Sequence, residues 1–182
     1  MDCIPFDVFI PDEKKFRLST DGIVLGLFVA VIATNWIDAD FAALAAFGAF
    51  AACVYFLIGT FWRKKPLEGT IAGTIKFCND KIMVDEETIS FDDIVEIDFL
   101  FSNYYRKLEP NGRRSFNPRF SQGVDNYVTY IDRAGDKYIV NFRLKTEAEH
   151  YELVPFVTLA VKAGKMPVSR AIELFGDKEF FI

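Results

Sequence analysis

Two long uninterrupted apolar runs are followed by a stretch in which apolar and polar residues alternate, and this change of period divides the chain. Between Gly22 and Trp62 the only charged residues are Asp38 and Asp40. The first run, Gly22 to Ile37, is sixteen residues long and at about 1.5 Å per residue covers roughly 24 Å. Phe16 and Leu18 extend its apolar side, Asn35 and Trp36 suit an interface, and Ser19 or Asp21 can cap its start. The second run, Phe41 to Trp62, is twenty-two residues without a charge, enough for a tilted span of a ~30 Å hydrocarbon core. Only Asp38-Ala39-Asp40 separates the runs. The pattern therefore predicts a two-helix transmembrane hairpin at 21–62, with helices over about 21–37 and 41–62, behind a cytosolic tail at 1–20.

Charge gives the hairpin a direction. Lys14, Lys15 and Arg17 precede the first run and Arg63, Lys64 and Lys65 follow the second, while the turn between them has no cation. The positive-inside rule then places both termini in the cytosol. A cleaved signal peptide fits poorly, because Asp2, Asp7, Asp12 and Glu13 lie where one would be basic. Small residues recur at helical spacing at Gly22, Gly26 and Ala30 in the first run and at Ala45, Gly48, Ala49 and Ala52 in the second. Such stripes let helices approach closely, whether they seal the pair together or dock a further subunit.

From Pro66 onward the alternation predicts half-buried strands. Val95, Ile97, Phe99 and Phe101 fall on one face and Glu96 and Asp98 on the other. Five more strands are expected around Ile71–Phe77, Ile82–Val84, Ile89–Phe91, Tyr127–Ile131 and Tyr138–Leu144, in meander order with turns at Asn79-Asp80, Asp85-Glu86 and Ala134-Gly135-Asp136. A helix should start at Thr146, with Glu149 completing a capping box, and run past Pro155 to Ala163 before Gly164. A shorter helix is expected from Ser169 to Phe175, closed by Gly176. Strands first and helices last make 66–182 an α+β domain.

The patterns Gly69-Thr70-Ile71, Thr88-Ile89-Ser90-Phe91-Asp92-Asp93-Ile94 and Tyr138-Ile139-Val140-Asn141-Phe142, with the closing helix, resemble the bacterial pleckstrin-homology-like (PH-like) domain proteins that carry an N-terminal transmembrane hairpin. The resemblance covers Pro66 to about Gly164, and the segment beyond Gly164 departs from the single closing helix of the family. It implies an antiparallel meander of about six or seven strands with a C-terminal helix, a multi-pass place in the bacterial inner membrane, and a binding or scaffolding role with no catalytic set.

Composition adds one contrast. The net charge is -5, yet Ser102 to Asn126 carries Arg106, Lys107, Arg113, Arg114 and Arg119 against Glu109 and Asp125, interleaved with Tyr104, Tyr105, Phe116 and Phe120. A segment of this length between strands is functional or mobile, and its composition suits an acidic partner protein, anionic lipid or a small ligand, or else a solvated loop. A net charge of -5 would argue against nucleic acid if it were uniform, which this segment shows it is not; no nucleic-acid partner is expected. Cys3, Cys53 and Cys78 match no metal spacing or disulfide framework and are expected as reduced thiols. His150, the only histidine, has no nucleophile as companion, so no catalytic residue, metal or cofactor is expected. The function expected is a membrane-anchored, non-catalytic accessory or scaffold subunit whose partners are membrane lipid and other membrane-protein subunits or a second copy. The alternative is a membrane-surface module that binds anionic lipid or a small ligand through residues 102–126.

Overall fold

The computed structural model describes residues 3–13, 19–34, 39–60, 62–110 and 116–176. Nine strands, β1 (Ile4–Pro11), β2 (Gly69–Phe77), β3 (Lys81–Val84), β4 (Glu87–Ser90), β5 (Ile94–Leu100), β6 (Tyr105–Leu108), β7 (Phe120–Gln122), β8 (Asn126–Asp132) and β9 (Lys137–Arg143), and four helices, α1 (Thr20–Thr34), α2 (Ala39–Gly59), α3 (Val154–Lys162) and α4 (Val168–Phe175), are present among them. They fall into two compact units, one of Met1–Asp12, Leu67–Lys107 and Gln122–Ile182, the other of Glu13–Pro66 and Leu108–Ser121.

In the first unit seven strands form an antiparallel sheet in the order β4-β3-β2-β1-β9-β8-β5. This is not the simple meander expected. Residues 4–11, read from the sequence as part of a tail, form β1 at the centre of the sheet, because Phe6 and Val8, on either side of Asp7, bury against the same core as β2. The strand β5 in turn lies at the far edge, beside β8.

The inner face of the sheet carries Phe6, Ile75, Phe77, Ile82, Ile97, Phe99, Val128 and Phe142, and α3 and α4 cover it with Phe156, Val157, Ala160, Ala171 and Phe175. Phe77 is the hub, its ring centroid 5.9 Å from Phe6, 5.5 Å from Phe99, 6.2 Å from Phe142 and 5.2 Å from Phe156. A bulge between Ile94 and Glu96 turns both Ile94 and Ile97 inward and leaves Val95, expected on the core face, 55% exposed.

The connection between α3 and α4 shields the free edge of β5. The Ile97 N–H donates to Lys165 O at 3.0 Å, Lys165 Nζ donates to Ile94 O, and Arg170 donates to Phe99 O at 2.8 Å while pairing with Asp98 at 2.7 Å. These bonds satisfy groups that would otherwise template pairing with another strand.

The single helix expected from Thr146 to Ala163 is divided. Residues Glu147–Leu153 form a tighter 3-10 segment and α3 begins after it, with Pro155 in the first turn, where a missing N–H leaves no bond unmade. Thr146 makes no side-chain cap, and Glu149 accepts instead from the Lys145 N–H.

Two cysteines expected as thiols, Cys3 and Cys78, form a disulfide. Their pairing follows from tertiary contact between strand ends 75 residues apart, which spacing in the sequence does not reveal.

Tyr130 on β8 is 2% exposed and stacks on Tyr138 of β9 with centroids 5.1 Å apart. Burial, followed by the neighbouring Tyr138, Glu87 and Asp132, pushes its phenol up from 10.0 to about 12. The unfolded chain releases this proton near the lower value and the folded chain near the higher, so the contribution is intact below the lower value and is lost as pH rises through the higher one. The expected result is an alkaline decline in stability that is shallower in Tyr130→Phe, measured by urea unfolding across that window with tyrosinate absorbance as the second signal.

The second unit contains α1 and α2, which pack against one another, together with 108–121. Among the described residues no helix is long and apolar enough to cross a membrane. Helix α1 has 15 residues, about 22 Å of rise against a core of about 30 Å. The apolar run to Trp62 is not one helix, since α2 ends at Gly59, where the Thr60 hydroxyl donates to Leu57 O and the chain turns so that the Arg63 N–H meets Gly59 O at 2.8 Å. This corrects the expected transmembrane hairpin and, with it, the multi-pass inner-membrane location with two cytosolic termini. The architecture is α+β with a seven-stranded antiparallel sheet. Lys14, Lys15 and Arg17 lie outside the described residues.

Candidate functional site

The long segment between β5 and β8 is held at its base by one buried amide. Asn126 is 0% exposed; its side-chain oxygen accepts from the Ser102 N–H at 2.8 Å and the Asn103 N–H at 3.1 Å, and its Nδ2 donates to Gly123 O at 2.9 Å. Asn103, also buried, donates to Asp125 and accepts from the Asp125 N–H. Gly123 has φ +74, and a Cβ there would lie 2.3 Å from Leu144 O and 2.5 Å from the Tyr105 nitrogen. Only glycine fits so close to a neighbouring backbone. Beside it, Arg143 lies over the Tyr105 ring at 4.5 Å and Lys107 over the Tyr104 ring at 5.8 Å, Lys107 also donating to Ser102 O at 2.9 Å. Arg106 is exposed and holds φ +67, a conformation that costs a non-glycine residue about 1 kcal/mol.

In the second unit the same segment doubles back, with the Glu109 N–H donating to Arg119 O at 2.9 Å. Lys65 forms an ion pair with Glu109, and its N–H donates to Phe120 O at 2.8 Å. At the start of α1, Ser19 caps the helix through the Gly22 N–H at 3.1 Å. That leaves Asp21 to accept from the Phe116 N–H at 2.6 Å and from Asn117 Nδ2 at 2.9 Å, while Asn117 accepts from the Thr20 N–H at 3.1 Å. The segment is thus a bracket that ties the start of α1 to the chain leaving α2. Phe116, Arg119 and Phe120 are half-buried within it. Arg113 and Arg114 lie outside the described residues. Of the cations read as topology signals, Arg63 sits 5.9 Å from the Tyr55 centroid and 5.7 Å from that of Phe56, and Lys64 bridges to Phe120.

The small residues of the helix pair separate into two sets. Val24 and Ala49 are buried, and Gly22, Ala45 and Ala52 are half-buried. Gly26, Ala30 and Gly48 are exposed, and a Cβ added at Gly26 or Gly48 meets nothing within 4 Å. The same two helices carry large apolar side chains in the open: Leu25 66%, Phe28 52%, Ile32 64%, Leu44 70%, Phe47 71% and Phe50 68% exposed. Leu25, Phe28 and Ile32 share one face of α1 by their three- and four-residue spacing, as do Leu44 and Phe47 on α2. Monomeric proteins rarely leave so many large apolar side chains uncovered together.

His150 stacks among rings, its centroid 5.6 Å from Phe101, 4.0 Å from Tyr151 and 5.9 Å from Phe175, and its Nδ1 meets Glu147 O. Among the described residues no three metal-ligating side chains converge. Sequence reasoning missed the polar pins Asn103, Asn117 and Asn126 and the role of Asp21. Nothing but tertiary contact distinguishes these amides from the turn residues they resemble. No family model, curated protein or solved structure matches the chain.

Proposed function

We propose that the chain is a non-catalytic accessory or scaffold subunit that binds a protein partner through the apolar faces of α1 and α2. The observation that carries this reading is the number of large apolar side chains the two helices leave exposed, Leu25, Phe28 and Ile32 on α1 and Leu44, Phe47 and Phe50 on α2, together with the open glycines Gly26 and Gly48. Aromatic and leucine side chains bury well in a partner's pockets, and a position without a side chain admits a neighbouring backbone. The non-catalytic part rests on the setting of His150, whose Nδ1 is engaged with a backbone carbonyl among aromatic rings. The PH-like resemblance belongs to the same proposal, supported by the antiparallel sheet closed by α3. The alternative, an anionic ligand held by 102–126, has weaker support because two of that segment's cations are turned to its own backbone, Lys107 donating to Ser102 O and Arg119 Nε to Glu109 O.

A photo-reactive amino acid at Phe47 should crosslink one discrete protein, and the same group at exposed Asp136 should not. Gly48→Leu should leave the melting curve unchanged, since its Cβ enters open space, and should weaken that crosslink about tenfold or more by filling the approach. Equal crosslinking from Phe47 and Asp136 would sink the proposal.

A further inference from the structure

We propose that the Cys3–Cys78 disulfide is a redox latch on strand β1, opened by a dithiol reductant and reclosed by exchange with a disulfide oxidant such as oxidised glutathione, which is itself reduced to thiols. The two residues sit just outside the last registered pair of the β1–β2 ladder, Ile4↔Phe77, with Cα atoms 4.4 Å apart. The sheet therefore holds them at bonding distance before the bond forms. Cys3 is exposed and Cys78 is 5% exposed, so one sulfur faces an incoming thiolate and the other faces the core.

The strand the latch holds is the one on which the sheet depends. β1 joins β2 to β9, yet its registered pairs with β9 are only Asp7↔Arg143 and Val8↔Phe142. Its ladder with β2 is interrupted between Asp7 and Phe9. Lys145 pairs with Asp7 at 3.0 Å and fixes the middle of the strand. Ile4 to Phe6 are therefore held by three ladder pairs with β2 and by the disulfide. Releasing them withdraws Phe6 from Phe77 and Phe142, whose centroids lie 5.9 and 5.4 Å away.

The chemistry balances as thiol–disulfide exchange. A thiolate of the reductant attacks Cys3 Sγ, the Cys3–Cys78 bond breaks, and Cys78 leaves as a thiolate and takes up a proton. The second reductant thiolate then attacks the mixed disulfide, closing the reductant's own disulfide and releasing Cys3, which is protonated in turn. Two electrons and two protons pass from the dithiol to the protein. Such bonds persist in oxidising compartments and open in reducing ones, so the state of β1 reports the compartment whatever covers the helix pair.

The test uses the full chain equilibrated with oxidised glutathione, then treated with dithiothreitol. Alkylation should count one reactive thiol, Cys53, before reduction and three after it. Amide exchange at Ile4 and Phe6 should accelerate by roughly two orders of magnitude on reduction, and the melting temperature should fall by about 10 °C. Cys3→Ser should behave as the reduced chain and ignore dithiothreitol, and reoxidation of the parent should restore the slow exchange. Failure of the pair to oxidise, or oxidation that leaves exchange in β1 unchanged, overturns the proposal.

Discussion

Phe77→Ala should destabilise the sheet-bearing unit by about 4 kcal/mol, with the urea midpoint falling and the slope of the transition nearly unchanged. Phe77 is 1% exposed and contacts the rings of Phe6, Phe99, Phe142 and Phe156, drawn from β1, β5, β9 and α3. Truncation removes the transfer free energy of the ring and leaves a cavity that four separate elements would have to move to fill. A mutation to alanine at Phe47, equally aromatic but 71% exposed, should change folding stability by no more than about 0.5 kcal/mol. The pair separates burial from residue type. Equal effects at the two positions would show that Phe77 is not the hub of the core.

The second large effect is expected at Asn126. Replacement by alanine takes the acceptor from the buried Asn103 N–H and the more exposed Ser102 N–H, while Gly123 O keeps the Leu144 N–H; a buried group without its partner costs about 1 to 3 kcal/mol, so a loss of about 3 kcal/mol is expected. The loss should be local in origin. Amides of Ser102 and Asn103 should exchange fast while those of β2 and β3 keep their protection until global unfolding. Asn126→Asp keeps the acceptor for the two N–H groups and loses the donor to Gly123 O, so it should recover part of the stability. If Asn126→Ala leaves the Ser102 and Asn103 amides protected, the amide is not what holds the base of the segment.

Periodicity made much of the sheet legible. Ile75, Phe77, Ile82 and Phe142 lie where alternation puts them, whereas in β8 the face expected from Tyr127, Thr129 and Ile131 is the outer one, and Val128 and Tyr130 are buried instead. It failed where the chain departs from a fixed period. The bulge in β5 moves Val95 to the outside, and the eight residues of β1 carry Pro5, Asp7 and Pro11, which read as a tail until β2 and β9 are there to flank them. The helix pair was legible as two apolar helices, but run length overstated them because a turn after Gly59 ends α2 before Trp62. The segment 102–126 was legible as exceptional by its charge, yet the residues that shape it, Asn126, Gly123, Asp21 and Asn117, act through partners distant in sequence. Arg119 and Phe120 were read as contact residues for a partner, and the structure gives them neighbours within the bracket itself. The disulfide was invisible for the same reason, its cysteines being brought together only by the pairing of β1 with β2.

That the apolar helix pair is covered by another protein is tested most directly by the native mass of the full chain purified in mild detergent, which keeps the exposed side chains dispersed. The predicted result is a stoichiometric complex with one further protein, from which the double substitution Phe47→Ser and Phe50→Ser releases a folded chain with the parent's unfolding midpoint. A mass equal to one chain, or to a multiple of this chain alone, contradicts it.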